Sequence, residues 1–213
     1  ERDPGLAHMF IVNPLSGEAV HRVPLCGAAE AAEAAGAARA AQPAWAALAP
    51  EARQACLDAL ADGLDRYTGH FVKLLRGDTG FPEAQAQDEV AAALAALRGT
   101  AVGEAGVVAL VVDATRPLAG FAEAAASILR AGGAVIVKPS PKAPAAAFAL
   151  CELSGRAAWP PGVLNLMQGD TEAIDGLCCG GIDRLVYAGN AALGVQVGAI
   201  ADAAGKPYVM LAS

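Results

Sequence analysis

The sequence predicts an α/β protein: a doubly wound parallel sheet of five strands, preceded by a β-hairpin and a helical annex. In the second half of the chain, short apolar segments alternate with helical patterns, an order typical of a parallel sheet with helices on both faces. In the first half, two strand patterns precede a long helical stretch. We place the hairpin and annex in residues 1–105 and the sheet in residues 106–213. The five predicted strands span residues 106–112, 134–137, 162–166, 184–187 and 208–211.

Composition narrows the function classes. The chain has 213 residues, a formal net charge of -7 and 15 basic residues that never cluster, so we expect neither nucleic acid nor a membrane surface as a partner. No segment approaches the roughly 18 apolar residues of a membrane span. Five cysteines without a framework spacing favour the reducing cytoplasm, and the missing initial methionine suggests a piece of a longer polypeptide.

The first half of the chain carries clear turn and helix signals. Turn formers at residues 13–18 separate two strand patterns, which predicts the hairpin. An alanine-rich helix is predicted up to Trp45, and Pro50 and Pro82 open two later helices. Two strands alone are marginal in water and leave a pairing edge, so we expect the hairpin to contact another domain or subunit.

Candidate ligand-binding residues follow the predicted parallel strands. Ligands of such sheets bind at the carboxyl ends of the strands, and Lys138 ends one of them. A lysine there can meet an anion or a ribose; the alternative is that it faces solvent. Gly189 lies at another strand-to-helix turn, where a glycine lets a phosphate approach backbone amides closely. Asp170 or Thr171 is expected to cap a helix.

Other conspicuous residues have structural explanations. Cys178 and Cys179 are adjacent but have no histidine nearby in sequence, so we predict small buried hydrophobic residues rather than a nucleophile. The three histidines are scattered, and we predict no metal site. Trp45 and Trp159 are predicted packing anchors.

Several motifs together resemble the aldehyde dehydrogenase superfamily over nearly the whole chain. The segment NPLSGE at 13–18 resembles that family's opening NPxTGE turn, and VKPS at 137–140 resembles its KPSE loop. WPPGVLN at 159–165, followed by QGD at 168–170, resembles GLPPGVxNxxxGD. Residues 182–194 are similar to the segment that contains FTGSxxxG.

The resemblance implies a cofactor domain with five parallel strands that binds NAD without a GxGxxG loop. By motif position, Lys138 hydrogen-bonds the adenosine ribose, Gly169 borders the adenine and Asn190 lies at the pyrophosphate, where two glycines shape the turn. The cofactor-binding residues implied by the resemblance are Lys138, Ser140, Gly169, Gly189, Asn190 and Gly194.

The family's catalytic groups are not found at the matching positions, so no catalytic residue is assigned. Thr115 replaces the asparagine that donates to the oxyanion, a contact worth about 3 kcal/mol of barrier. Leu211 replaces the glutamate base and cannot accept a proton. The nucleophilic cysteine follows that strand in the family. Pro141 also replaces the ribose-binding glutamate, so NAD binding is expected to be weak or lost.

Among known arrangements, the chain most resembles the second, non-catalytic domain of two-domain family 16 aldehyde dehydrogenases. This implies a structural and assembly role beside an active aldehyde dehydrogenase domain of the same polypeptide, in a homo-oligomer. The degenerate domain of bifunctional proline-catabolic enzymes is a related arrangement. Two alternatives remain open: part of an active NAD-dependent enzyme whose catalytic residues lie elsewhere, and a sensor that binds the dinucleotide without chemistry.

Overall fold

The hairpin forms as its turn signals predict. The computed structural model describes residues 7–157 and 159–212. Strands β1 (His8–Val12) and β2 (Ala19–Pro24) pair antiparallel. Asn13 organises the turn, because its side-chain oxygen accepts the N–H groups of Leu15 and Ser16 at 2.9 and 3.0 Å. Its side-chain nitrogen donates to the carbonyl of Gly77 at 2.6 Å, which attaches the turn to the helical annex.

Over residues 7–105 the annex contains four helices, three of which are the alanine-rich helix and the two predicted to begin near Pro50 and Pro82. They are α1 (Ala28–Ala46), α2 (Pro50–Arg66), α3 (Thr68–Thr79) and α4 (Glu83–Arg98). Pro50 is the first residue of α2, and Pro82 immediately precedes α4. Proline lacks a backbone N–H, and at the start of a helix that group would have no acceptor within the helix, so its absence does not destabilise the helix. Gly80 ends α3 in the left-handed region with φ of 72°, a conformation that glycine adopts without strain.

The second half forms the predicted doubly wound sheet. Its five strands are all parallel and lie in the order β5-β4-β3-β6-β7. From β3 the chain builds outward through β4 and β5, then crosses back to β6 and β7. The elements are β3 (Val107–Val112), α5 (Ala119–Arg130), β4 (Ala134–Pro139), α6 (Ala145–Arg156), β5 (Leu164–Leu166), α7 (Thr171–Cys179), β6 (Arg184–Gly189), α8 (Ala191–Ala203) and β7 (Tyr208–Ala212).

Helices cover the sheet on both faces. Alternate residues of β3 point to opposite faces: Val108 and Leu110 join the core beneath α2, α4, α5 and α6, while Val107 and Ala109 join the core beneath α1, α7 and α8. All six residues of β3 are buried. Such a strand reads as a continuous apolar run, which is why valine dominates it.

Buried aromatic and polar contacts join the annex to the sheet. Trp45 and Trp159 stack with ring centroids 5.4 Å apart, which confirms both as packing anchors. The guanidinium of Arg130 at the end of α5 donates to the carbonyls of Ala96 and Leu97, each at 2.7 Å. These carbonyls lie in the last turn of α4, where that of Ala96 also accepts the N–H of Gly99 and that of Leu97 also accepts the side-chain amide of Gln54. Arg130 thus adds a charged donor to the end of α4.

One annex carboxylate serves a helix of the sheet domain. Glu89 on α4 is 7% exposed, and one of its oxygens accepts the N–H groups of Leu118 and Ala119 at 3.1 and 2.9 Å. These amides begin α5. Burial raises the pKa of Glu89, while the two N–H groups and the Arg116 guanidinium oppose that rise. Glu89 therefore acts as an N-cap supplied from another helix.

Within residues 7–157 and 159–212, no helix is both long enough and apolar enough to cross a bilayer. Over the same ranges, no three His, Cys, Asp or Glu side chains are grouped as a metal ion requires.

We expect Glu89→Ala to lower the free energy of unfolding by about 2 kcal/mol, because it leaves two buried helix amides without an acceptor. Glu89→Gln keeps one acceptor oxygen and should cost less. Urea unfolding measures both changes. The control is Glu83→Ala, since Glu83 is 62% exposed and its pair with Arg76 should contribute under about 0.5 kcal/mol. Equal effects of Glu83→Ala and Glu89→Ala would contradict the capping role.

Candidate functional site

The candidate site lies at the carboxyl edge of the sheet. In the parallel register, Val112 of β3 stands beside both Pro139 of β4 and Ala188 of β6. The loops that follow these three strands therefore begin side by side. The strand order reverses between β3 and β6, which is where open α/β sheets place their ligand crevice.

Lys138 is buried, so the alternative that it faces solvent is wrong. It lies on β4 on the same face as Ile136, which α1 covers, and it is 3% exposed. Its Nζ donates to the carbonyl of Pro139 at 3.0 Å. Burial lowers the pKa of Lys138 to about 8, although the negative charge of Asp170 favours the charged form. A ribose reaches this amine only if the side chain leaves its internal acceptor and the site opens.

Ser140 serves the turn that leads from β4 to α6. Its hydroxyl oxygen accepts the N–H of Lys142 at 3.2 Å, and its carbonyl accepts the N–H of Ala143 at 3.0 Å. Pro141 follows without a side-chain acceptor. The loop thus contains the lysine and the serine of the family motif, each used within the chain itself.

Gly169 lies before α7 with φ of 142°, a conformation that side chains rarely adopt. A Cβ there would lie 2.7 Å from Cβ of Ala173 and 3.0 Å from the carbonyl oxygen of Cys26. The close approach at this glycine is therefore made by the chain's own backbone. Asp170 caps α7 by accepting the N–H of Glu172 at 3.1 Å, which confirms it as one of the two predicted caps.

Asp113 occupies the point where the strand order reverses. It directly follows β3, is 5% exposed and accepts four hydrogen bonds. One oxygen accepts from the N–H and the hydroxyl of Thr115 at 2.9 and 2.6 Å. The other accepts from the hydroxyl of Tyr187 at 3.0 Å and the N–H of Asn190 at 2.7 Å. Gly189 is pressed against it, because a Cβ there would collide with the carboxylate carbon.

These contacts determine the protonation states of Asp113 and Tyr187. Burial raises the pKa of Asp113, but the hydrogen bonds from Thr115, Asn190 and Tyr187 outweigh it, so the pKa lies below its ordinary value. Burial and the neighbouring carboxylate raise the pKa of Tyr187. At neutral pH the site therefore holds a carboxylate and a protonated phenol.

Asn190 begins α8 and uses its polar groups within the chain. Its side-chain oxygen accepts the N–H of Ala192 at 2.9 Å, so it is the N-cap of the helix. Its own N–H donates to Asp113. Helix N-termini bind phosphates through such amides, and both of these amides already have acceptors.

Gly194 is needed for packing between α8 and the sheet. A Cβ there would collide with the sulfur of Met210 and lie 2.9 Å from the ring of Tyr187. Five of the six predicted cofactor-binding residues thus lie at or just beyond the ends of β4, β5 and β6, and the sixth, Gly194, lies in the first turn of α8. Their role toward NAD stays a prediction.

Thr115 and Leu211, which stand where the family has its oxyanion donor and its base, supply neither a free donor nor a base. The hydroxyl of Thr115 is engaged with Asp113, and Leu211 presents an aliphatic side chain that is 45% exposed. Of the two adjacent cysteines, Cys178 is buried as predicted, and burial raises its pKa to about 11. The prediction is wrong for Cys179, which is exposed. It is the last residue of α7, and one helical step turns it away from the core.

Sequence reasoning missed Asp113 and Glu89 as structural centres. A signal for Asp113 was present, because a carboxylate directly after the first strand of a doubly wound sheet lies at the reversal of strand order. Glu89 gave no signal, because its partners in α5 lie 29 and 30 positions away in the sequence.

We expect Asp113→Asn to destabilise the protein by about 2 kcal/mol at neutral pH, because an amide replaces a charged acceptor of several hydrogen bonds. The folded-state pKa of Asp113 lies below its ordinary value of 3.8, so its stabilising contribution is present above that pH and is lost as the pH falls through the folded pKa. Urea unfolding from pH 7 down to acid should show the difference from wild type shrinking below about pH 4. Asp202→Asn, at an exposed position, is the control. A difference that stays constant with pH would contradict the assignment.

Comparison with known proteins identifies the family. The model of the Aldehyde dehydrogenase family matches residues 3–105 and 104–212. N-succinylglutamate 5-semialdehyde dehydrogenase of Escherichia coli is 30% identical and covers 87% of this chain and 42% of that protein. Glutarate-semialdehyde dehydrogenase of Pseudomonas putida is 29% identical, and the match covers 88% of this chain and 44% of that protein. The chain thus spans less than half the length of these two relatives.

Solved structures give the same result. Succinate-semialdehyde dehydrogenase from Burkholderia pseudomallei superposes with a TM-score of 0.87 at 27% identity, over 95% of this chain and 47% of that one. Indole-3-acetaldehyde dehydrogenase AldA of P. syringae, solved in complex with NAD+, superposes with a TM-score of 0.88 at 25% identity. That superposition covers 97% of this chain and 47% of that one. Both the family model and these superpositions extend over nearly all of the described residues, so this chain belongs to the aldehyde dehydrogenase family.

Proposed function

We propose that this chain is a non-catalytic aldehyde dehydrogenase-like domain with a structural, assembly role beside an active aldehyde dehydrogenase unit of the same polypeptide. The observation that carries the proposal is the Asp113 carboxylate at the reversal of strand order. It accepts the N–H of Asn190, the N-cap residue of α8.

An internal anion at this point opposes a bound dinucleotide. A pyrophosphate at the start of α8 competes with Asp113 for the same amide and brings negative charge beside a buried carboxylate. Two unit charges about 5 Å apart repel by about 3 kcal/mol at an effective dielectric constant near 20. That repulsion alone weakens binding by about two orders of magnitude.

The ribose end of the site supports the same conclusion. Lys138 is 3% exposed and donates to the carbonyl of Pro139, while Pro141 offers no side-chain acceptor. Binding NAD would therefore require breaking an internal hydrogen bond of a buried amine. We infer that NAD binds weakly or not at all.

Aldehyde oxidation needs an oxyanion donor and a base. Thr115 at the first position directs its hydroxyl to Asp113, and Leu211 at the second has no group that accepts a proton. Neither the oxyanion donor nor the base is therefore assigned to a residue of this chain.

The hairpin offers a surface for assembly. Its turn is fixed to the annex by Asn13, yet Phe10, Val12 and Val20 are 65%, 49% and 40% exposed. Apolar side chains grouped on a fixed, two-stranded element are typical of an interface with another domain or subunit.

Calorimetric titration with NAD tests the loss of the cofactor site. We expect no saturable binding up to millimolar NAD in the folded wild-type protein. Asp113→Asn, which removes the charge while keeping the shape, should bind more tightly than wild type. Saturable binding to wild type that Lys138→Ala abolishes would overturn the proposal in favour of a dinucleotide sensor or part of an active enzyme.

Sedimentation of the full polypeptide tests the assembly role. Phe10→Asp should reduce the assembled fraction, because a charge at the hairpin surface is costly to bury. Val102→Asp is the matched control, since Val102 is 67% exposed but lies in the link between annex and sheet. If both variants assemble like wild type, the hairpin is not the interface.

A further inference from the structure

A cavity of about 500 Å³ runs along the outer edge of β1. The strand contributes four consecutive residues, 9–12, to its lining, and none of the described residues of β2 takes part. Side chains of a strand alternate between its two faces, so a cavity that contacts four consecutive residues follows the edge of the strand. The opposite wall belongs to the annex and to the loops after β3 and β4, and it contains Phe81, Ala114, Pro141 and Lys142.

Phe10 presents unpaired backbone groups to this edge. The N–H of Leu25 donates to the carbonyl of Ala7 at 2.8 Å, so these two residues form a hydrogen-bonded pair of the hairpin ladder. Such pairs alternate along an antiparallel ladder, and the register makes Phe10 and Arg22 a pair without hydrogen bonds. The N–H and C=O of Phe10 therefore point away from β2 and towards the cavity, and the backbone of no described residue bonds to them.

The edge of β1 is open and held in place. The strand contains neither lysine nor proline, with which natural proteins block the edges of their sheets. Ile11 is 3% exposed, and the side chain of Asn13 donates to the carbonyl of Gly77 at 2.6 Å, so both the strand and its turn are attached to the annex. An edge that is already ordered loses little conformational entropy when a further strand pairs with it.

The side chains around the cavity favour an apolar strand that carries a carboxylate. Phe10 and Val12 are 65% and 49% exposed and offer apolar contact. Lys142 is exposed, and its ammonium group makes no ion pair with a described residue. Asp78, the other charged residue of the described lining, is 3% exposed and lies 3.0 Å from the imidazole of His21. The accessible charge of the cavity is therefore positive.

We propose that an extended segment of the active aldehyde dehydrogenase unit adds a third strand to the hairpin along β1, with apolar side chains against Phe10 and Val12 and a carboxylate near Lys142. The proposal names the partner of the hairpin surface and so rests on the assembly role proposed above. A second copy of β1 does not complement the charge, because residues 8–12 contain no carboxylate. In strand addition of this kind, backbone hydrogen bonds provide affinity and side-chain pockets provide specificity.

The probe is the synthetic peptide acetyl-Thr-Val-Thr-Val-Asp-Val-amide, titrated into the isotope-labelled, purified chain and followed by NMR. We expect it to bind and to slow hydrogen exchange of the Phe10 amide about tenfold or more, because that N–H gains an acceptor. The same peptide with an N-methyl group on its central valine should bind about fivefold more weakly, since one backbone donor is lost. Asparagine in place of the peptide's aspartate should weaken binding about threefold, and Lys142→Gln should abolish that difference.

Two substitutions at one position isolate the backbone bond within the protein. Phe10→Ala and Phe10→Pro both remove the ring, but only proline also removes the N–H. The β1–β2 ladder does not use that N–H, so Phe10→Pro should keep the hairpin. We expect Phe10→Pro to bind the peptide about fivefold more weakly than Phe10→Ala. Val20→Ala, at an exposed position of β2 outside the cavity, is the control and should bind like wild type.

The proposal is overturned if the peptide does not bind, if the N-methylated peptide binds equally well, or if hydrogen exchange of the Phe10 amide is unchanged. Protection of this amide in the purified chain alone, lost on dilution, would assign the edge to a second copy and overturn the proposal as well. The assembly role fails separately, when Phe10→Asp leaves the sedimentation of the full polypeptide unchanged.

Discussion

The burial of β3 on both faces is the constraint on which the rest of the structure depends. Val108 and Leu110 contact one helical layer and Val107 and Ala109 contact the other, so neither layer can be removed without exposing the central strand. Because the strands are parallel, each returning connection must cross a face of the sheet, and α5 to α8 do so. This arrangement brings the carboxyl ends of all five strands to one edge, where the candidate site lies.

Asp113 shows how such an edge can be occupied by the protein itself. A carboxylate at the end of the central strand joins β3 to β6 and α8 through the hydroxyl of Tyr187 and the amide of Asn190. The contacts that make it a stable anion are of the kind that a phosphate would receive from a helix N-terminus. Under the proposed function, stability of the sheet edge and affinity for a dinucleotide are therefore opposed.

The annex contributes more than a cover for the sheet. Glu89 caps the start of α5, and Arg130 at the other end of that helix donates to the carbonyls of the last turn of α4, so each helix contributes a polar contact to an end of the other. The same annex carries the hairpin, whose turn is held by the hydrogen bond from the side chain of Asn13 to the carbonyl of Gly77. Phe10 and Val12 of the hairpin line a cavity together with Ala114 and Pro141, which belong to the loops that follow β3 and β4, so the hairpin lies beside the carboxyl edge of the sheet.

The sequence by itself determined the order and type of the elements, because valine-rich runs, Pro50, Pro82 and the cap Asp170 act on their own neighbourhoods. It also indicated the family, since motifs at strand ends are contiguous in the chain. Only the tertiary structure decided that Lys138 is buried, that Cys179 is exposed, and that Gly194 makes room for Tyr187. The same holds for Asp113, whose partners Tyr187 and Asn190 are 74 and 77 positions away. Burial and hydrogen bonding at these residues depend on which distant segments meet, and local pattern carries no information about that.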